Sequence, residues 1–107
     1  MHSKFDELGR FADPSVLILT SLAEGAKHGY AVMTDVEQMT GSPLGPGTLY
    51  GALARLERRG LIEALEPEER RRPYRLTGAG ATTLAAQLAH LEGFVRTGLE
   101  RLGGRVR

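Results

Sequence analysis

GPGTLYGALARLERRGLI, residues 45–62, is the stretch of sequence that decides the fold. Pro46 stands near its start, where a helix tolerates proline because the first N–H groups have no partner within the helix. An apolar stripe at helical spacing follows, formed by Leu49, Leu53 and Leu56. Gly60 comes where helices commonly end. The stretch therefore predicts an amphipathic helix between Pro46 and Gly60.

Further helices are predicted upstream. Asp13-Pro14 resembles an N-cap followed by proline, and the apolar residues 15–24 predict a short buried helix that ends at Gly25. A helix is also predicted over 28–39, because one face carries Val32, Val36 and Met39. The turn over 41–45 joins it to the helix at Pro46, as in a helix-turn-helix. A weaker helical turn is predicted over 3–11, with one side formed by Phe5, Leu8 and Phe11.

A β-hairpin is predicted immediately downstream. Residues 61–65 and 74–76 are short apolar-rich runs separated by a polar loop. Pro67 and Pro73 are expected to confine these strands to an edge of the sheet and to the ends of the loop. A hairpin directly after a helix-turn-helix is the layout of a winged helix. The predicted fold is therefore mainly α with a small β-hairpin, over residues 1–76.

The last predicted helix begins after Thr77, which can cap it, and fills residues 77–107. Its apolar residues recur about every 3.67 positions, the period of a nearly straight helix. Gly93 and Gly98 each cost it about 1 kcal/mol relative to alanine. A long helix with that cost is expected to pack along another copy of itself. The predicted dimerisation residues are Leu84, Leu88, Leu91, Val95, Leu99 and Leu102, with Val106 at the end of the line.

Composition excludes several classes of function. The chain has 107 residues and no cysteine, which rules out disulfides, thiolate zinc sites and a thiol nucleophile. The three histidines fall on different predicted elements, so we expect no metal or other cofactor. No Ser–His–Asp or paired-carboxylate spacing indicates an enzyme. No long apolar run or secretory signal is visible, so the expected location is the cytoplasm, without a membrane contact.

The distribution of charge is more informative than the net charge of +1. Residues 1–45 carry three basic and six acidic groups, whereas residues 46–107 carry 11 basic and seven acidic groups. Eleven of the 12 arginines lie in this second part, and a planar guanidinium suits phosphates and guanine edges. The charge pattern therefore favours a nucleic-acid contact in the second half.

Several motifs together make the chain resemble the PadR family of transcriptional regulators between about residues 14 and 80. They are His28-Gly29-Tyr30, Gly45-Pro46-Gly47-Thr48-Leu49-Tyr50, Leu53, Arg55-Leu56-Glu57, Gly60-Leu61-Ile62, Tyr74-Arg75-Leu76-Thr77 and Gly80. The resemblance implies a winged-helix DNA-binding domain and a C-terminal dimerisation helix, used as a repressor that a ligand or signal releases. The chain departs from the family pattern in three respects. The hairpin loop, which is the wing of a winged helix, carries three carboxylates (Glu66, Glu68 and Glu69), Pro73 precedes the tyrosine, and the chain has no tryptophan.

Candidate DNA contacts come from the predicted recognition helix, the wing and the start of the second helix. They are Thr48, Tyr50, Gly51, Arg55 and Arg58, then Arg70, Arg71 and Arg72, then Lys27 and His28. Purely structural alternatives stay open for three of them: Tyr50 as a core ring, Arg55 as a solvated charge, and His28 as a helix cap. The wing arginines are equally well explained as a charge run neutralised by Glu66, Glu68 and Glu69.

Two partners follow from this scheme. A two-fold dimer predicts double-stranded DNA with inverted half-sites about 10 bp apart, or a multiple of that spacing. A small-molecule effector is expected between the subunits, in an apolar pocket lined by Val16, Leu19, Leu88, Leu91 and Phe94. The alternative function is a winged helix that binds another protein. The arginines on the outer side of the recognition helix speak against it.

Overall fold

The computed structural model describes residues 12–106, so the turn predicted over 3–11 lies outside the described residues. In chain order its elements are α1 (Pro14–Leu22), β1 (Lys27–His28), α2 (Gly29–Thr40), α3 (Pro46–Arg58), β2 (Ile62–Ala64), β3 (Pro73–Leu76) and α4 (Gly78–Val106). The mainly helical fold with a small sheet is confirmed. Within residues 12–106, no helix is both long and apolar enough to cross a membrane.

Helix α1 is the centre of the core, and α2, α3 and α4 all pack against it. The Asp13 carboxylate accepts a hydrogen bond from the Ser15 N–H at 2.8 Å, and Pro14 occupies the first turn, as predicted. The helix is buried on several sides because its apolar residues meet three neighbours, and its core residues are Leu17, Ile18, Leu19 and Leu22.

Helices α2 and α3 form the predicted helix-turn-helix. Val32 and Val36 are fully buried, whereas Met39, at the end of the same face, is 44% exposed. The stripe instead ends at Thr40, whose hydroxyl donates to the Val36 carbonyl at 2.9 Å and is thereby satisfied within the core. Gly41 follows in the left-handed conformation (φ 76°) and ends α2.

The sheet has three antiparallel strands in the order β1-β3-β2, one more than the sequence predicted. Pro73 is the buried first residue of the central strand and faces His28, so its expected confinement to a sheet edge was wrong. A proline is tolerated at that position because the first residue of a strand needs no ladder N–H. The extra strand ties the hairpin to the start of α2.

The tip of the hairpin, called the wing below (residues 65–72), is a tight turn. Backbone hydrogen bonds join Glu68 and Arg71 in both directions, at 2.6 and 2.8 Å. The two residues between them, Glu69 and Arg70, both have positive φ, 48° and 71°. This pattern is that of a type I′ turn, which usually holds asparagine or glycine because other residues are strained there.

Helix α4 begins on the sheet and then leaves the domain. Thr77 caps it as predicted, since its Oγ1 accepts from the Gly80 N–H at 3.0 Å and its hydroxyl donates to the Gly60 carbonyl at 2.7 Å. Gly80 lies so close to β2 that a Cβ there would meet the Leu61 carbonyl oxygen at 2.0 Å. The helix has 29 residues, which makes it about 44 Å long.

Candidate nucleic-acid interface

Helix α3 presents one buried and three solvent-facing sectors. Its buried residues are Leu49, Ala52, Leu53 and Leu56. At 100° per residue, the sector opposite the core carries small residues and one cation, namely Gly47, Gly51, Ala54 and Arg58. Tyr50 and Glu57 lie on one flank, and Thr48 and Arg55 on the other. The outer face therefore allows close approach of another molecule to the helix backbone.

A cleft of about 290 Å³ separates the Tyr50 flank of α3 from the wing. It brings together five of the predicted DNA contacts, which are His28, Tyr50, Arg70, Arg71 and Arg72. Gly29, Tyr30 and Tyr74 complete its lining. The cleft is thus a basic surface with three aromatic rings and no carboxylate among its lining residues.

Tyr50 connects α3 to the start of α2. A Cβ on the buried Gly29 would lie 2.7 Å from the Tyr50 hydroxyl, so the ring rests directly on the glycine backbone. The side chain nevertheless remains 52% exposed. Tyr50 is therefore not a core residue, and its side chain is not free either. The contact with Gly29 holds the ring at the edge of the cleft.

Tyr30 is a cleft residue that the site prediction missed. Its side chain is exposed on α2 beside Gly29, and it lines the same cleft as Tyr50. The His28-Gly29-Tyr30 motif contained the signal, because the glycine that admits Tyr50 also places Tyr30 on the outer side of the first turn.

Tyr74 packs the hairpin onto the core and is half-buried. Burial raises the pKa of the Tyr74 phenol, and the negative charge of Glu57 raises it further, whereas Arg72 lowers it. The phenol therefore stays neutral in its place between α3 and the wing.

The arginines of the wing keep their charge available. Among residues 12–106, none of the carboxylates of Glu66, Glu68 and Glu69 lies within 4.0 Å of a guanidinium of residues 70–72. Arg72 donates to the Leu65 carbonyl at 3.3 Å, and Arg71 lies 3.2 Å from the His28 ring. No direct ion pair therefore joins these carboxylates to the wing arginines, and the alternative of a solvated charge run stays open.

Lys27 does not belong to this surface, so its assignment as a DNA contact was wrong. Its ammonium donates to the Ser21 carbonyl oxygen, pairs with Glu24 at 2.6 Å and with Asp35 at 3.2 Å, and is only 16% exposed. All three donors are used within the fold. A hydrogen bond from Ser21, with a smaller contribution from Lys27, holds the pKa of Asp35 below its usual value although burial opposes this.

Arg55 lies on the flank of α3 that faces away from the wing. It lines a cleft of about 320 Å³ between α1, α3 and α4, together with Asp13, Arg59 and Gln87. Thr48 shares this flank, close to the N-terminus of α3. The structure therefore separates Arg55 from the Tyr50 side of the site, and Arg58 is the arginine at the centre of the outer face.

The predicted effector pocket is divided among three places. Val16, Leu88 and Leu91 line an apolar cavity of about 150 Å³ together with Met39. Leu19 is a core residue beneath the Arg55 cleft. Phe94 is 73% exposed and lies in a separate groove further along α4. Within one chain, Val16 meets Leu88 and Leu91 in the cavity and Leu19 in the Arg55 cleft, whereas Phe94 lies too far along the helix to join them.

The residues of the predicted dimerisation line are buried at the start of α4 and exposed further along the helix. Leu84 is only 5% exposed and belongs to the core of its own chain, so its assignment to a dimer seam is corrected. It is buried because the first turns of α4 still lie over α1. Leu91 is half-buried, and the remaining large apolar residues are exposed: Leu88, Val95, Leu99 and Leu102. An apolar surface thus runs along the part of α4 that leaves the domain.

Comparison with known proteins gives this arrangement a context. The family described as "Transcriptional regulator PadR-like family" matches residues 18–86. An uncharacterised 37.1 kDa protein in transposon TN4556 of Streptomyces fradiae is 46% identical over 97 residues, which is 91% of this chain. The chain spans 26% of the length of that relative.

Solved structures of regulators share the fold. A transcriptional regulator from Clostridium thermocellum is 31% identical with a TM-score of 0.71, and the match covers 78% of this chain and 86% of the other. A PadR family transcription regulator from Clostridium difficile is 25% identical with a TM-score of 0.74, covering 85% and 98%. The winged-helix fold, the sequence motifs and the family match all indicate the same family. The chain belongs to the PadR-like family of transcriptional regulators, which is a family of regulatory proteins and not of enzymes.

Proposed function

We propose that the chain is a sequence-specific DNA-binding regulator that acts as a homodimer in the cytoplasm. The observation that carries this proposal is the cleft in which the wing arginines meet the Tyr50 flank of α3. The outer face of α3 has small residues that admit a DNA backbone or base edge, with Arg58 at its centre. The wing places three guanidiniums, none of them within 4.0 Å of a wing carboxylate, beside the Tyr50 flank.

In this proposal, α3, the wing and α4 have different roles in DNA binding. In the major groove, α3 contacts base edges with Thr48, Tyr50 and Gly51 of its N-terminal half and with Arg58 at the centre of its outer face. The wing arginines neutralise phosphates or enter the minor groove. Residues 1–76 supply the DNA-binding unit and 77–107 the dimer contact, with the first turns of α4 also serving the core. The outer face of α3 carries Arg58 and no large apolar residue, which disfavours the alternative of a protein-interaction module.

A repressor role with release by a small molecule is the further part of this proposal. The apolar cavity beside Val16, Leu88 and Leu91 lies where α4 begins to leave the domain. A ligand that fills this cavity alters the position of α4 and with it the spacing of the two α3 helices. The operator in this scheme is an inverted repeat with half-sites about 10 bp apart, or a multiple.

Two substitutions on the same helix test the reading surface. We expect Arg58→Ala to cost about 1–3 kcal/mol of operator binding and to narrow the difference between operator and random DNA. Arg55→Ala removes the same type of side chain from the flank of α3 that faces away from the wing and serves as the matched control. The DNA is a duplex that the wild-type protein selects from a random pool, and fluorescence anisotropy measures the affinity. If Arg58→Ala binds the operator like wild type and only Arg55→Ala loses affinity, Arg58 is refuted as a base contact. The reading surface is then the flank of α3 that carries Arg55.

A further inference from the structure

Both ring nitrogens of His28 face a hydrogen-bond donor, and a neutral histidine ring can accept a hydrogen bond at only one of them. Its Nδ1 accepts from the Ala31 N–H at 3.4 Å and thereby caps α2. Its Nε2 lies 3.2 Å from Nη1 of Arg71, across the cleft. Both neighbours are donors, because a backbone N–H and a guanidinium have no lone pair to offer.

A neutral imidazole has one donor and one acceptor nitrogen. When Nδ1 accepts from Ala31, the proton is on Nε2, and this N–H points at the N–H of Arg71. In the other tautomer Nε2 accepts from Arg71, but an Nδ1–H then faces the Ala31 N–H and the helix cap is lost. In either tautomer one of the two contacts sets donor against donor. An acceptor placed between Nε2 and Arg71 satisfies both and preserves the cap.

We propose that this acceptor is a phosphate oxygen of the DNA backbone, shared by His28 Nε2–H and the Arg71 guanidinium. The inference rests on the proposed function and specifies one contact within it. The two donors open onto the cleft of about 290 Å³, which has room for a phosphate group. No carboxylate lines the cleft, so nothing within its lining supplies a negative charge instead. His28 acts as the Nε2–H tautomer, and Arg71 supplies the charge.

The two side chains predict different signatures in DNA binding. Arg71→Gln removes one positive charge from a phosphate in each half-site, so for the dimer the slope of log affinity against log salt becomes shallower by about 1.8. His28→Asn removes a neutral donor, so affinity falls about tenfold and the salt slope stays unchanged. Asparagine is among the best N-cap residues, and α2 therefore keeps its cap. The double variant binds little more weakly than Arg71→Gln, because both groups hold the same phosphate.

The groove near the end of α4 offers a chemically matched control pair, His90 and Arg101. His90→Asn and Arg101→Gln are expected to leave affinity and salt slope as in wild type. Titrations use the duplex selected by the wild-type protein, at pH 8 and several salt concentrations. In parallel, ¹⁵N spectra of the histidine rings report the tautomer, and the complex is expected to show His28 with its proton on Nε2 and Nδ1 unprotonated.

The outcomes separate the two proposals. If wild type selects no DNA, the proposed function fails and this contact fails with it. If wild type and the control variants bind while His28→Asn and Arg71→Gln bind equally well, only the shared phosphate is refuted. Fully additive losses, or a complex with the proton on Nδ1 of His28, also overturn it.

Discussion

The close contact between Gly80 and β2 allows a sharp prediction about stability. In Gly80→Ala the new Cβ would lie 2.0 Å from the Leu61 carbonyl oxygen and 2.8 Å from Cδ1 of Leu76. To reach 3.0 Å from the oxygen, α4 must withdraw from the strand by at least 1 Å. The obstacle is backbone, so a change of rotamer does not relieve it. Because the backbone cannot move aside, we expect overpacking to cost about 3 kcal/mol, the upper end of its usual range, against a gain of about 1 kcal/mol in helix propensity, so the variant is less stable than wild type.

Gly93→Ala is the matched control, because it is the same substitution in the same helix, it lies opposite the exposed apolar line of α4, and nothing else in the chain lies within 4 Å of the new Cβ. There only the propensity term acts, and the free energy of unfolding should rise by about 1 kcal/mol. The withdrawal in Gly80→Ala also strains the cap at Thr77, whose Oγ1 accepts from the Gly80 N–H. Urea unfolding at equal protein concentrations measures both variants. A Gly80→Ala protein as stable as wild type refutes the packing argument.

Two further predictions concern acid stability and association. The pKa of Asp35 lies below its usual value, so this carboxylate stabilises the fold above the unfolded pKa of about 3.9, and the contribution is lost as pH falls through the lower folded pKa. Asp35→Asn should therefore lower the melting temperature at pH 7 and approach wild type near pH 2, as thermal melts followed by circular dichroism will show; an unchanged gap contradicts the assignment. Leu99→Glu with Leu102→Glu should yield a folded monomer, because both residues are exposed on α4 and charge there destabilises only a dimer seam. Light scattering that finds the same dimer places the interface elsewhere.

Local rules predicted the parts of the fold that depend on neighbours in sequence. Asp13 and Thr77 were found as helix caps because each acts within three residues of its position. The stripe from Leu49 to Leu56 was found because its period is set by one helix. Strand β1 was missed because it has only two residues, Lys27 and His28, and therefore no alternation to detect.

Side chains whose partners come from other elements could not be placed in this way. Lys27 looked like a free cation, but its partners come from α1 and α2, and only the folded chain brings them together. Leu84 continues the apolar line of α4 without a break. Its burial depends on how far α1 extends beneath the helix, which the period of the line does not contain.

The left-handed turn at Glu69 and Arg70 has a consequence for the entropy of binding. Fixing a flexible backbone costs about 1–2 kcal/mol per residue, and a loop that becomes ordered on its target loses that free energy from the affinity. In this wing the turn is closed by two hydrogen bonds between Glu68 and Arg71 before any partner arrives. The folding of the domain has already ordered the tip. Loosening the turn would therefore weaken the binding of any polyanion without removing a single charge.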